Sequence, residues 1–211
     1  MVVKTVNSAG ELENEYLAVR YGATPQDWEE AADETHFVEL IDGRLIMHSP
    51  AGLAHQRTFG FLHHLLRSFV EQRKLGEVLT GPFTMDLALE RKLEPDLIFV
   101  TSKTVANLTE DRLIGPADLA IEIASASTRS YDRGEKRECY RVGRVAEYIM
   151  IDAFSKLVTL DRPAGREILS LQEGWIASES CKGFAFRAEW LWTDPLPDVE
   201  RCLGELEPWK G

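Results

Sequence analysis

Residues 118–152 read DLAIEIASASTRSYDRGEKRECYRVGRVAEYIMID, and the fold is decided there. The first run, Leu119–Ala124, is apolar except for Glu122, and the last, Glu147–Ile151, is short and apolar; both predict buried strands. Between them the pattern predicts a helix over Ser127–Val142, opened by a Ser or Thr cap. Alternation along the first strand sends Leu119, Ile121 and Ile123 to one face and Ala120, Glu122 and Ala124 to the other, where the small alanines leave room around the acid. A carboxylate inside such a strand is costly unless it is paired or binds a metal ion. One buried carboxylate with a local hydrogen-bond partner is an equally ordinary explanation.

Upstream, Phe37–His48 reads as a hairpin around Asp42-Gly43, and the segment Ser49 to Gly52 breaks the strand. His55–Lys74 predicts a long helix with Phe59, Leu62, Leu66, Phe69 and Val70 on one face, closed by Gly76. Val78–Leu89 is strand-like around a Gly81-Pro82 break, and Asp96–Thr101 is a short apolar strand. Downstream, Lys156–Leu160 and Glu167–Leu171 are further strands. Strands outnumber helices and helices sit between them, which predicts an α/β domain with a mixed sheet and helices packed on it. Residues 1–35 are expected to be a helical lead-in, with Thr24 as cap and Pro25 at the first helical position. Residues 36–193 are expected to be the main domain, and 194–211, with Pro195, Pro197, Gly204 and Pro208, an irregular tail.

The 211 residues suit one decorated domain, and 44% apolar with 28% charged residues is ordinary for a globular protein. Three widely spaced cysteines with no CxxC pair argue against structural zinc and suit a cytoplasmic protein with reduced thiols. No leader-like start and no window near the roughly 18 apolar residues of a membrane span is present, so no membrane association is expected. The net charge of −11 weighs against tight non-specific binding of nucleic acid. Walker A, GxGxxG and GxSxG motifs are missing, and without HExxH the pair His63-His64 is a poor metal candidate.

Two carboxylates stand out: Asp96, after Pro95 at the head of one strand, and Glu122 inside another. On neighbouring strands they converge on one cation, and an oxygen-only ligand set favours Mg²⁺ or Mn²⁺. Arg129, Arg133, Lys136, Tyr140 and Arg144 fall within about a quarter turn of a helical wheel, a stripe that can reach a phosphate or simply face solvent. Pro95-Asp96 followed by Glu122-Ile123-Ala124-Ser125 resembles the PD-(D/E)XK signature. Over Glu39–Arg162, the stretches ELIDGRLIMHSP, His55 opening a helix, EPDLIFV and residues 118–152 resemble the Uma-two branch of that restriction endonuclease-like superfamily.

The resemblance implies a restriction endonuclease-like core, a central mixed sheet flanked by helices, with extra N-terminal helices and C-terminal strands and the site at one sheet edge. It implies that Asp96, Glu122 and the Ile123 carbonyl bind metal, and that Glu39 adds an acid for a second metal or a water. Ala124 stands where the signature has lysine, and the resemblance implies that Lys136 on the following helix replaces it; Ala126 stands where the family often has proline. Arg129 and Arg133 are implied phosphate contacts and Tyr140 a supporting group; His55 reads first as a cap or a core histidine, and alternatively as a supporting group near the metal. The implied activity is a Mg²⁺-dependent endonuclease acting on DNA as a homodimer. The rivals are an inactive nuclease-fold protein serving as a binding or assembly module, suggested by the charge and the missing in-strand lysine, and a metal-dependent hydrolase of a small molecule.

Overall fold

The computed structural model describes residues 5–6, 12–13, 17–32, 38–48, 51–124, 131–162 and 167–206. Short β1 (Thr5–Val6) and β2 (Leu12–Glu13) precede β3 (Leu17–Tyr21) and α1 (Pro25–Ala31), which lead into the hairpin of β4 (Val38–Ile41) and β5 (Arg44–His48). Next come α2 (Leu53–Arg73), β6 (Gly76–Thr80), β7 (Thr84–Ala88), β8 (Arg91–Leu93), β9 (Leu97–Thr101), β10 (Arg112–Ile114) and β11 (Leu119–Ala124). A π-helical turn, Asp132–Lys136, runs into α3 (Arg137–Val142). The chain continues through β12 (Glu147–Asp152), β13 (Leu157–Arg162), β14 (Glu167–Leu171), the small hairpin β15 (Trp175–Ala177) and β16 (Ala185–Arg187), and α4 (Val199–Leu206).

Local chemistry explains the main boundaries. Thr24 and Asp27 form a reciprocal capping box on α1, with Pro25 at its start. Asp42 and Gly43 both take positive φ, 45° and 77°, the backbone a two-residue hairpin turn needs. Lys74 turns left-handed to end α2, and Gly76 then runs so close to β9 that a Cβ there would lie 1.9 Å from the Val100 carbonyl oxygen.

One six-stranded sheet has the order β14-β13-β12-β11-β9-β6, in which β11 and β12 are parallel and the other neighbours antiparallel. A second has the order β10-β7-β8-β4-β5-β3. The faces of β11 separate as its alternation predicts. Leu119, Ile121 and Ile123 join α2, the β15–β16 hairpin and α4 in the larger core. Ala120 and Ala124 face the second sheet, where Ile41, Ile46, Met85 and Leu93 pack with Cys139, Tyr140, Tyr148 and Met150. Glu122 therefore lies in the layer between the two sheets.

Several expectations change. Leu17–Tyr21 is a strand, because pairing along β5 overrides the helical reading of the lead-in; within it only Pro25–Ala31 is helical among the described residues. The tail is not irregular at Val199–Leu206: Asp198 accepts the Arg201 N–H at 2.9 Å, and Cys202, Leu203 and Leu206 are buried on α2. Pro195 and Pro197 precede that helix and do not interrupt it. The predicted helix over Ser127–Val142 is a π turn plus α3 from residue 131 onward, and residues 125–130, Arg129 among them, lie outside the described residues. The mixed α/β class holds. Glu122, however, stands on an interior strand, at the end of the sheet rather than at its lateral edge. No helix among the described residues is long and apolar enough to cross a membrane.

Candidate active site

Asp96 immediately precedes β9, the antiparallel neighbour of β11. Its Oδ2 accepts the Ile123 N–H at 2.7 Å and lies 3.1 Å from His55 Nε2. Continuing the register of Ile121 with Leu97 brings Pro95 opposite Ile123, and proline has no N–H to offer the Ile123 carbonyl. Pro95 thus ends the ladder where the two acids meet. Burial alone would lower the pKa of His55; the hydrogen bond and charge of Asp96 raise it above the usual histidine value.

Lys136 closes the π turn with its side chain 4% exposed. Its Nζ sits 2.6 Å from Glu122 Oε1 and 2.9 Å from Glu39 Oε1. Tyr140, one turn on, donates its hydroxyl to the same Glu122 oxygen. Asp132, Lys136 and Tyr140 all point inward, whereas Arg133 is exposed and bonds Asp152 at 2.7 Å. The expected common stripe is split because i→i+5 bonding in a π turn reduces the rotation per residue. Tyr140, 0% exposed, braces Glu122 and cannot touch a phosphate.

Glu39 on β4 is fully engaged. Oε1 accepts from Lys136 and from the Glu94 N–H at 2.8 Å; Oε2 meets His48 at 2.8 Å and the Tyr131 hydroxyl at 2.7 Å. Burial opposes its ionisation, yet Lys136 and His48 hold its carboxyl well below the usual range. Lys136 keeps its proton despite burial because Glu122 and Glu39 flank it. With that ammonium matched by Glu39, Glu122 is surplus: burial, Asp96, Asp132 and Glu39 push its pKa well up against the pull of Lys136. Beside them, burial and the charge of Glu39 push Glu94 up to about 8.

A divalent cation suits this donor set. Asp96 Oδ1 and Glu122 Oε2 have no protein partner among the described residues, and the carboxylates Glu39, Asp96, Glu122 and Asp132 surround a single buried ammonium. Among the described residues no three His, Cys, Asp or Glu side chains form a ready metal cage. The sequence thus brings together Asp96, Glu122, Lys136, Glu39, His55 and Tyr140. It missed His48, Tyr131, Glu94, Asp132 and Asp152. Two signals were available: Glu94 adjoins Pro95-Asp96, and Asp132 stands four residues before Lys136.

A family model described as "Putative restriction endonuclease", named Uma2, matches residues 25–189. Among solved structures, the crystal structure of "a putative nuclease belonging to DUF820" from Anabaena variabilis ATCC 29413 superposes with a TM-score of 0.69. It is 15% identical and covers 80% of this chain and 97% of that one, a likeness that carries the fold alone. A search of curated proteins gave no match.

Proposed function

Since this chain belongs to the Uma2 family, we propose that it is a metal-dependent nuclease that hydrolyses phosphodiester bonds, with DNA as substrate. The observation that carries the reading is the surplus of carboxylate around Lys136, with one oxygen of Asp96 and one of Glu122 left without a protein partner. In this reading Asp96, Glu122 and the Ile123 carbonyl hold Mg²⁺ or Mn²⁺, which when bound supplies a lowered water pKa and offsets charge on the scissile phosphate. Lys136, aimed by Glu39 and Glu122, orients the attacking water and stabilises charge on the five-coordinate phosphorus. Glu39, with both oxygens engaged, acts by holding Lys136 rather than by holding a second metal. Tyr140 fixes the Glu122 rotamer, and His55 fixes Asp96. Arg133 contacts a neighbouring phosphate, and a homodimer presents two such sites to a duplex.

The test is cleavage of several DNA forms by purified protein with Mg²⁺ or Mn²⁺, alongside Asp96→Asn. Metal-dependent products lost in the variant support the reading; no cleavage of any form by the parent contradicts it. The second reading, an inactive binding module, draws on the incomplete three-ligand cage and on the acidic chain. It predicts no saturable metal binding and a stable complex with a protein partner.

A further inference from the structure

Two lysines are buried among the described residues, and they serve different charges. Lys92 on β8 meets Asp86, on the adjacent strand β7, at 2.5 Å, a pair made within one sheet. Lys136 stands between the sheets. Its Nζ lies 2.9 Å from Glu39 Oε1, on β4 of one sheet, and 2.6 Å from Glu122 Oε1, on β11 of the other. The two acid side chains are 0% and 5% exposed, so bulk water does little for their charges and a cation is needed between them. The second oxygen of Glu122 has no protein partner among the described residues. Glu122 thus turns Oε1 to the ammonium and leaves Oε2 for the divalent ion proposed above.

The surroundings of Nζ suit an ammonium. It has three N–H donors and accepts nothing, so two carboxylate oxygens and an aromatic face can hold it. The Tyr131 ring supplies that face, its centre 5.9 Å from Nζ. Mg²⁺ demands octahedral coordination by oxygen, and a ring face has no lone pair to give. In two-metal hydrolytic sites a pair of cations stabilises both the attacking and the leaving oxygen of an in-line displacement. A fixed ammonium beside one divalent ion also makes two positive centres, of which only one exchanges with solution.

Resting on the metal-dependent reading above, we infer that the Lys136 ammonium fills a second cation position, between Glu39 and Glu122, which a divalent ion enters only when the ammonium is removed. Each chain therefore takes one divalent ion, at Asp96 and Glu122. Without the lysine, the two buried carboxylates lack their counter-charge. The room left by its stem then admits the waters that a divalent ion keeps when it is bound through one or two carboxylates.

The test is calorimetric titration of Mn²⁺ into metal-free protein without nucleic acid, counting the ions bound per chain. The parent takes one ion and Lys136→Ala takes two. Asp96→Asn alone takes none. Asp96→Asn combined with Lys136→Ala takes one, and adding Glu39→Gln to that pair removes it. Thermal melting gives a second readout: saturating Mn²⁺ raises the midpoint of Lys136→Ala by more than that of the parent. Lys136→Ser repeats the count if the alanine variant does not fold, and the parent count stands in either case. Two ions in the parent, the second lost in Glu39→Gln, overturn the inference. One ion in both the parent and Lys136→Ala overturns it too and leaves the nuclease reading standing. No ion in the parent, but one in Lys136→Ala that depends on Glu39, upholds the cation position and sinks the metal-dependent reading. No ion in any of them sinks both.

Discussion

Two carboxylates are buried at opposite ends of the same pair of parallel strands, and their surroundings differ in kind. Glu147, at the start of β12, is complete. Its Oε1 accepts from Arg162 at 2.8 Å and from the Glu179 N–H at 2.8 Å; its Oε2 accepts from the Ser178 hydroxyl and from the Ser180 N–H at 2.9 Å. Burial opposes ionisation, but those donors hold the Glu147 pKa below its ordinary value. Glu122, near the end of β11, is incomplete: one oxygen is shared by Lys136 and Tyr140, the other has no partner among the described residues, and its pKa is driven up. A buried charge whose hydrogen bonds are all made tethers elements, here the β15–β16 hairpin to the sheet. A buried carboxylate left short of partners among like charges is where the proposed metal ion would bind.

Breaking each cluster should therefore damage different properties. The largest effect is expected for Asp96→Asn, with cleavage falling roughly 10²–10³-fold or more in a metal-dependent assay while the thermal midpoint holds or rises. The second is Glu147→Gln, which takes from Arg162 its buried counter-charge at 2.8 Å and lowers unfolding free energy by about 3–5 kcal/mol in denaturant titration. Mn²⁺ binding by the folded fraction of that variant should be unchanged. Glu39→Gln tests the intermediate case, a fully engaged acid inside the incomplete cluster. Its Mn²⁺ affinity should weaken roughly 10- to 100-fold, as for a supporting group, with saturation still reached; complete loss would make Glu39 a ligand. The smallest effect concerns acid. The folded pKa of Glu147 lies below its unfolded value of about 4.3, so its contribution is complete above roughly pH 5 and fades as pH falls through the folded value. Between pH 5 and 3, stability of the parent should fall more steeply than that of Glu147→Gln.

The strands and α2 were legible because apolar period and turn residues act locally: Asp42-Gly43 fixes its hairpin, and LAIEIA separates its faces as alternation dictates. The second six-stranded sheet was not, because β3, β4 and β5 join β7, β8 and β10 through pairings that no local pattern encodes. At the site, Asp96 and Glu122 stand out as acids in apolar runs. Lys136 was one of a basic stripe and was singled out as the replacement lysine only through the family resemblance, and the π turn that aims it inward has no simple sequence period. His48 and Tyr131 were invisible because their partner, Glu39, is 9 and 92 residues away in the chain.

Calorimetric titration of Mn²⁺ into metal-free protein, repeated for Asp96→Asn and Glu122→Gln, tests the central claim without any assumption about substrate. The account predicts saturable binding in the parent that both substitutions abolish while the variants stay folded. Undiminished binding in both variants, or none in the parent, would contradict it.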